Sequence, residues 1–380
     1  MAEKYKTGIM FDRRLIQFFD WGLLLLTIIL LGIGLIALCS AVFSEKIDID
    51  PIKTALIMKQ LIAIGTGMSL MIILFFIDYR HLDRYAYVIY FLTLLLLIFV
   101  LYHGKVVAGS RRWIVLGMLR FQPSEIAKLS VIIVLGHYYS KVITEQGLSL
   151  KDLIIPLILT GLPCLFVLKQ PDLGTSTLIF LNASAMTWFV KVKKRTMLLI
   201  IVVLLICLPM GWFSLKDYQK NRIQSFLDPS RDPLGSGYHV IQSKIAIGSG
   251  KMFGKGFLKG TQNDLAFLPE QHTDFIFSVL AEEWGFVGSI IVIVTYLMLI
   301  LWILYVANSS KDVFSKTVSV GICAMIFWQV VINIGMVMGL MPVVGVTLPL
   351  ISYGGSSIVT SLIGIGIVLN ISMRRYMYDV

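Results

Sequence analysis

The sequence is short of charge. Asp, Glu, Lys and Arg make up 14% of its 380 residues, against roughly 25% in a soluble globular chain, and that shortage excludes an ordinary water-facing surface. Cysteine is scarce as well. Cys39, Cys164, Cys207 and Cys323 all fall inside apolar runs, which excludes a disulfide framework or a CxxC metal pair and leaves them as small packing residues. No cleavage site follows the first apolar run, which is longer than a signal peptide needs, so it is expected to persist as a span. A phosphate loop is missing too: near Gly250–Gly256, Ser249 stands where that motif needs its first Gly, and Gly256 where it needs Ser or Thr. Inverted repeats of the kind that mark many transporters are not found.

What the sequence has instead is apolar length. Hydrophobic residues reach 57%, mean hydropathy is +0.84, and runs of about 20 residues recur, each able to cross a hydrocarbon core of roughly 30 Å. The expected fold is an all-α polytopic membrane protein, one domain over residues 1–380, with ten spans: Trp21–Phe43, Thr54–Ile77, Tyr85–Tyr102, Pro123–Tyr139, Leu153–Leu168, Leu173–Val190, Met197–Trp212, Phe275–Val306, Thr317–Leu340 and Tyr353–Met373. Orientation follows from Lys and Arg in the short connections. Lys4, Lys6, Arg13, Arg14, Arg80, Arg84, Lys191, Lys193, Lys194, Arg195, Lys311, Lys316, Arg374 and Arg375 all fall on one side if the span count is even. That side, with the 1–20 tail and both termini, is expected to be cytoplasmic.

Two segments on the other side break the charge bias. The third loop carries Lys105, Arg111, Arg112 and Arg120. The long segment 214–273 carries Lys216, Lys220, Arg222, Arg231, Lys244, Lys251, Lys255 and Lys259 against five acids. Net charge is +11, but the apolar spans turn the reading away from nucleic acid and toward an anionic ligand at the outer face; anionic lipid head groups are the plainer explanation. Within the long segment, Val240–Ile247 is helix-like between glycines, and the whole is read as re-entrant or lying on the membrane surface. Irregular backbone at that depth requires protein or water around it.

Ionisable residues also gather at one depth. Pro123 opens span 4, and Glu125 and Lys128, three apart, share a helix face and can pair. Asp172 precedes span 6 and Asp274 precedes span 8, while Lys59 lies near the end of span 2. A straight helix would carry Glu282 and Glu283 roughly 12–14 Å below Asp274. Asp274 serves either as a helix cap or as a functional carboxylate at a membrane boundary; the group as a whole is either a packing network or a site. Near span 10, Gly354, Gly355, Ser356 and Ser357 open a helix and could present N–H groups and hydroxyls to an anion, or simply cap it.

Taken together, these segments resemble the SEDS family of bacterial membrane proteins (shape, elongation, division, sporulation), its RodA branch more than FtsW. The matching stretches are GSRRW (109–113), FQPSEIAKL (121–129), KQPDLGTS (169–176), YQKNRI (218–223), GYHVIQSKIAIGSG (237–250), FLPEQHTDFIFSVLAEEWGFVG (267–288) and INIGMVMGLMPVVGVTLPLISYGGSS (332–357). One departure is Lys251, where a second Gly often follows GSG. The resemblance implies a peptidoglycan glycosyltransferase that polymerises lipid II at the outer face of the cytoplasmic membrane, with a class B penicillin-binding protein as transpeptidase partner. It makes Asp274 the essential carboxylate and gives Arg112, Glu125, Lys128, Asp172 and Arg222 as the other charged motif positions, with His272 and Ser356 expected beside them.

Lipid II joins a polyprenyl tail, a pyrophosphate and a disaccharide-peptide, and the chain supplies spans, outward cations and a Gly-rich loop for these in turn. The expected chemistry is inverting transfer: Asp274 as general base on the acceptor hydroxyl and cations on the leaving pyrophosphate. A divalent ion, magnesium or manganese, on Asp274 or Asp172 could share that work, although no distinct ligand cluster is visible. Two other classes compete, a lipid II flippase and a non-catalytic scaffold. The flippase requires polar residues along the whole crossing path; the scaffold requires that Asp274→Asn retain function.

Overall fold

The computed structural model describes residues 18–43, 51–107, 110–116, 119–142, 147–200, 202, 217–231, 235–260 and 272–375. Its helices are α1 (Trp21–Val42), α2 (Pro51–Phe76), α3 (Tyr79–Arg84), α4 (Ala86–His103), α5 (Pro123–Val142), α6 (Ile154–Lys169), α7 (Leu173–Phe189), α8 (Asp217–Leu227), α9 (Ser236–Ser249), α10 (Ile276–Ser309), α11 (Val313–Val337) and α12 (Gly355–Arg374). Their starts are locally encoded. Asp20, Asp172 and Asp312 accept from the backbone N–H of Leu23, Thr175 and Ser315, three residues on, each satisfying a donor that the first turn leaves open.

Among the described residues seven helices are long and apolar enough to cross a membrane: α1, α2, α4, α6 with the turn before it, α10, α11 and α12. Two predicted spans fall outside that group for physical reasons. At 17 residues α7 is short, and α5 carries Glu125, Lys128 and Lys141. Yet α5 is the middle of the bundle, with everything from Pro123 to Tyr139 buried except Ile126, packed by α4, α7 and α11. A helix that needs no lipid contact can carry charge. The predicted span Met197–Trp212 lies for the most part outside the described residues.

The two ends of the bundle differ. At one end Arg374 pairs with Asp78 at 3.5 Å, the Tyr79 hydroxyl reaches Asp312 at 3.3 Å, and Asp20 accepts from Trp302 Nε1 and Ser372 Oγ at 2.8 and 3.0 Å. These are the connections whose Lys and Arg set the orientation. The opposite end holds Asp172, Asp274 and the loop 338–354.

The expectation of a purely helical chain needs one correction. The basic third loop is a small antiparallel sheet, β1 (Lys105–Val107), β2 (Ser110–Leu116) and β3 (Leu119–Phe121) in that order, with Lys105 opposite Trp113 and Val115 opposite Arg120. SRRWIVL is rich in β-favouring residues, and β1 and β3 pair along its two edges.

A second correction concerns α10. Gly285 has φ 66°, ψ −161°, so the helix is broken there. Cys323 Sγ meets the Ile300 carbonyl; counting up both helices, a straight α10 would bring Ile290 beside Asn333. Asn333 bonds Asp274 instead. The half from Ile276 to Trp284 therefore lies across the end of the bundle, and the straight-helix depth of Glu282 and Glu283 does not hold.

Both glutamates are engaged at that break. Glu282 Oε1 pairs with Lys255 Nζ at 2.6 Å. Glu283 accepts from Ser40 Oγ of α1 and from the backbone N–H of Leu258 and Gly260. The Val240–Ile247 helix expected in the long segment is present as the longer α9, which packs on α10.

Candidate functional site

Asp274 stands one place ahead of the N-cap position of α10, which Phe275 takes. Like His272 and Thr273 before it, it is half-buried, and a buried run begins at Phe275. Three hydrogen bonds fix the backbone around it. Tyr353 N–H donates to the His272 carbonyl at 2.9 Å, and Asn333 Nδ2 donates both to the Asp274 carbonyl at 2.9 Å and to the Val346 carbonyl at 2.7 Å. The His272 ring meets Tyr353 edge-on, centroids 5.6 Å apart.

The loop 338–354 explains how two aspartates from distant parts of the chain come to share one neighbourhood. Gly345 has φ +73°, and a Cβ there would lie 3.4 Å from Asp274 Oδ2. The preceding Val344 presents its carbonyl to Gly174, where a Cβ would sit 2.5 Å away. Gly174 is two residues past Asp172. The loop thus separates the start of α7 from the start of α10, with Asp172 behind one side and Asp274 against the other.

Asp172 anchors a network. Its Oδ1 caps Thr175 N–H at 3.1 Å, and its Oδ2 accepts from Thr175 Oγ1 and Gln122 Nε2, both at 3.0 Å. Arg112 lies 3.9 Å away while donating Nε–H to the Gln170 carbonyl at 3.1 Å and NH2 to that of Pro171. Gln122 N–H donates to Ser356 Oγ at 2.9 Å, and that hydroxyl donates on to the Arg120 carbonyl at 3.0 Å. Arg112, Asp172 and Ser356 therefore come together, joined by Gln122. Arg112, through Nε–H and one NH2 donor, and Ser356, through both its donor and an acceptor lone pair, help hold the sheet, α7 and α12 in register.

Glu125 and Lys128 pair as expected, 2.8 Å apart and almost completely buried. Their alignment is poor, however, and Glu125 Oε2 and Lys128 Nζ complete no hydrogen bond among the described residues. Removing one member of such a buried pair costs about 3–5 kcal/mol; the open donor and acceptor leave room for a polar group between helices. Arg222 stands elsewhere, on a pocket formed by α8, α9 and the loop, with Ser225, Phe226, Val240, Met341 and Val343. That pocket and Asp274 share the loop as a wall.

Asn333, Gln122 and Gln60 escaped the sequence reading, which weighed ionisable groups. Gln60, buried in α2, accepts from Gly354 N–H at 3.3 Å and donates to the Ser352 carbonyl at 3.2 Å. A polar side chain inside an apolar span was the available signal. A caged metal does not fit the residues present: among the described residues no three His, Cys, Asp or Glu are grouped to hold one, and Asp172 is committed to its cap.

Comparison with known proteins places this geometry. The chain is 43% identical over 315 residues, 83% of its length and 85% of the relative's, to the peptidoglycan glycosyltransferase MrdB of Escherichia coli strain K12. It is 31% identical, over 94% and 98% of the two chains, to the peptidoglycan glycosyltransferase RodA of Treponema pallidum. Among solved structures, a chain from a study of structural coordination of polymerization and crosslinking by a peptidoglycan synthase complex superposes with TM-score 0.80 at 33% identity, covering 94% of this chain and 98% of that one. The crystal structure of the rod shape determining protein RodA of Thermus thermophilus gives 0.69 at 31% identity over the same shares. With residues 21–377 matching the FtsW, RodA and SpoVE group of cell cycle proteins, the chain belongs to that family.

Proposed function

We propose that this protein polymerises lipid II into β-1,4 glycan strands, with Asp274 as general base and a role in cell elongation and shape. The observation that carries this reading is the mounting of Asp274. Its carboxylate is half-buried ahead of a helix, and its backbone is held by a buried amide and by the loop whose Gly345 leaves space beside Oδ2. A residue needed only for packing would not require that much support from three separate elements.

In the proposed step, Asp274 takes the proton from the acceptor's GlcNAc 4-hydroxyl. The oxygen attacks C1 of the chain's MurNAc, the bond to polyprenyl pyrophosphate breaks, and pyrophosphate leaves with the electron pair. An α-linked donor yields a β-linkage, so inversion needs one base and no covalent intermediate; such a base contributes about 10²–10⁴ in rate. Lys128, whose ammonium has donors beyond its Glu125 pair, and Arg222, at its own pocket, would meet charge growing on the leaving group. The proposal includes ten spans, both termini in the cytoplasm, the Asp274 end facing the extracytoplasmic side, and a class B penicillin-binding protein as partner.

The test is purified protein in detergent with lipid II, assayed for glycan chains. Wild type is expected to make polymer and Asp274→Asn none, although the amide keeps the shape. Polymer from both ends the general-base reading; polymer from neither, with the partner present, favours the flippase.

A further inference from the structure

Residues 250–258 form a hairpin-like segment whose backbone is locked into the broken helix α10. Lys255 and Gly256 donate N–H to the Glu282 and Glu283 carbonyls, each at 3.0 Å, while Phe286 and Val287 donate to the Lys251 and Met252 carbonyls at 2.9 and 3.1 Å. The break at Gly285 frees those groups, and Gly250 and Gly254 allow the approach: a Cβ on either would lie about 2 Å from a carbonyl oxygen of α10. So firm a mounting does not bury the tip. Instead Met252, Phe253 and Phe257 are 56%, 80% and 50% exposed, with Lys251 and Lys259 exposed beside them.

The register of α10 says what that face meets. No residue from Ile276 to Gly285 is exposed. From Phe286 to Tyr305 the helix presents Phe286, Ile290, Ile291, Leu297, Leu301 and Tyr305, with others between, outward. Those twenty residues span about 30 Å at 1.5 Å per residue, one hydrocarbon thickness. The lipid-facing stretch therefore begins at Phe286, the residue bonded to the hairpin. Met252 and Phe253 continue its apolar face, at the depth where aromatic side chains gather and lysines reach lipid phosphates.

We infer that residues 250–258 are a membrane-interface anchor, seating Met252, Phe253 and Phe257 among acyl chains of bulk phospholipid while Lys251 and Lys259 meet anionic head groups. The anchor fixes the transverse half of α10, and with it Asp274, at the level of the head groups.

The test places p-benzoylphenylalanine at position 253, an aromatic replacement that preserves the apolar face, in the full chain in nanodiscs of mixed phosphatidylglycerol and phosphatidylcholine without lipid II. Irradiation is expected to give adducts of phospholipid mass, with loss of that adduct when the probe stands at exposed Asn221 on α8. Equal adduct at both positions, or adduct at 253 only to a second copy of the chain, would overturn the anchor. In the Lys251→Glu, Lys259→Glu double variant the share of phosphatidylglycerol among adducts is expected to fall; an unchanged share would refute the head-group contact.

Discussion

Asn333 is a buried amide whose two N–H groups both point at carbonyl oxygens, those of Asp274 and Val346. Two acceptors leave no doubt which end of the amide faces them. Leucine at this position would keep the volume and remove both donors, taking a hydrogen bond from the buried Val346 carbonyl and another from the half-buried Asp274 carbonyl, at about 1–3 kcal/mol for the buried one. It would also release Asp274 from its support. For Asn333→Leu we expect turnover to fall by about 10², the usual result of an ångström-scale misplacement of a reacting group, with little change in KM. The Asp274→Asn, Asn333→Leu double variant should be no slower than Asp274→Asn alone, because both act on one step. If Asn333→Leu turns over at the wild-type rate while Asp274→Asn is dead, the amide is not what positions the base. Sequence alone hides this residue: INIGMV reads as an apolar helix, and only the pairing of Gln329 with Asn333 one turn on hints at a polar stripe.

At the scale of elements, the break in α10 decides where Asp274 lies. EEWGFVG sits inside a long apolar run, and glycine is common enough in membrane helices to carry no message there. Its φ of 66° is what matters, together with ψ −161° in a region nearly reserved for glycine. A Cβ on Gly285 would also lie 2.3 Å from the Gly254 nitrogen and 2.7 Å from the Met252 carbonyl oxygen. Gly285→Ala should therefore cost about 1–3 kcal/mol in backbone strain and a similar amount in overlap, read as a lower melting temperature and faster proteolysis after Lys251 and Lys255. Gly248 in α9 is the control: nothing lies within 4 Å of its Cβ position, so Gly248→Ala should be neutral or stabilising by up to about 1 kcal/mol. Equal melting temperatures for the two alanine variants would show that the break does not depend on Gly285. Seven of the spans were legible among the described residues, since twenty apolar residues leave a chain few other options. The break was not, because it depends on Met252 and Gly254, far away in sequence; the β-sheet pairs locally, but three such short strands give little alternating signal.

Across the whole molecule, charge sorts by end. Asp20, Asp78, Asp312, Arg374 and Arg375 meet at one end, where the Tyr79 hydroxyl and Arg374 make their polar contacts, and Asp172, Asp274, Arg112 and Arg120 lie at the other. Positive-inside bias predicts that the first end is cytoplasmic, an expectation that rests on span order and loop charge. It matters for chemistry, because a site at the wrong face would never meet a substrate displayed on the other. Single cysteines at Lys311 and at Asn221 can decide it with a membrane-impermeant maleimide; among the described residues the native thiols Cys39, Cys164 and Cys323 are half-buried or buried. In spheroplasts, Asn221→Cys should label before permeabilisation and Lys311→Cys only after it. The reverse pattern would put Asp274 at the cytoplasmic face, and polymerisation outside the membrane could then not be its work.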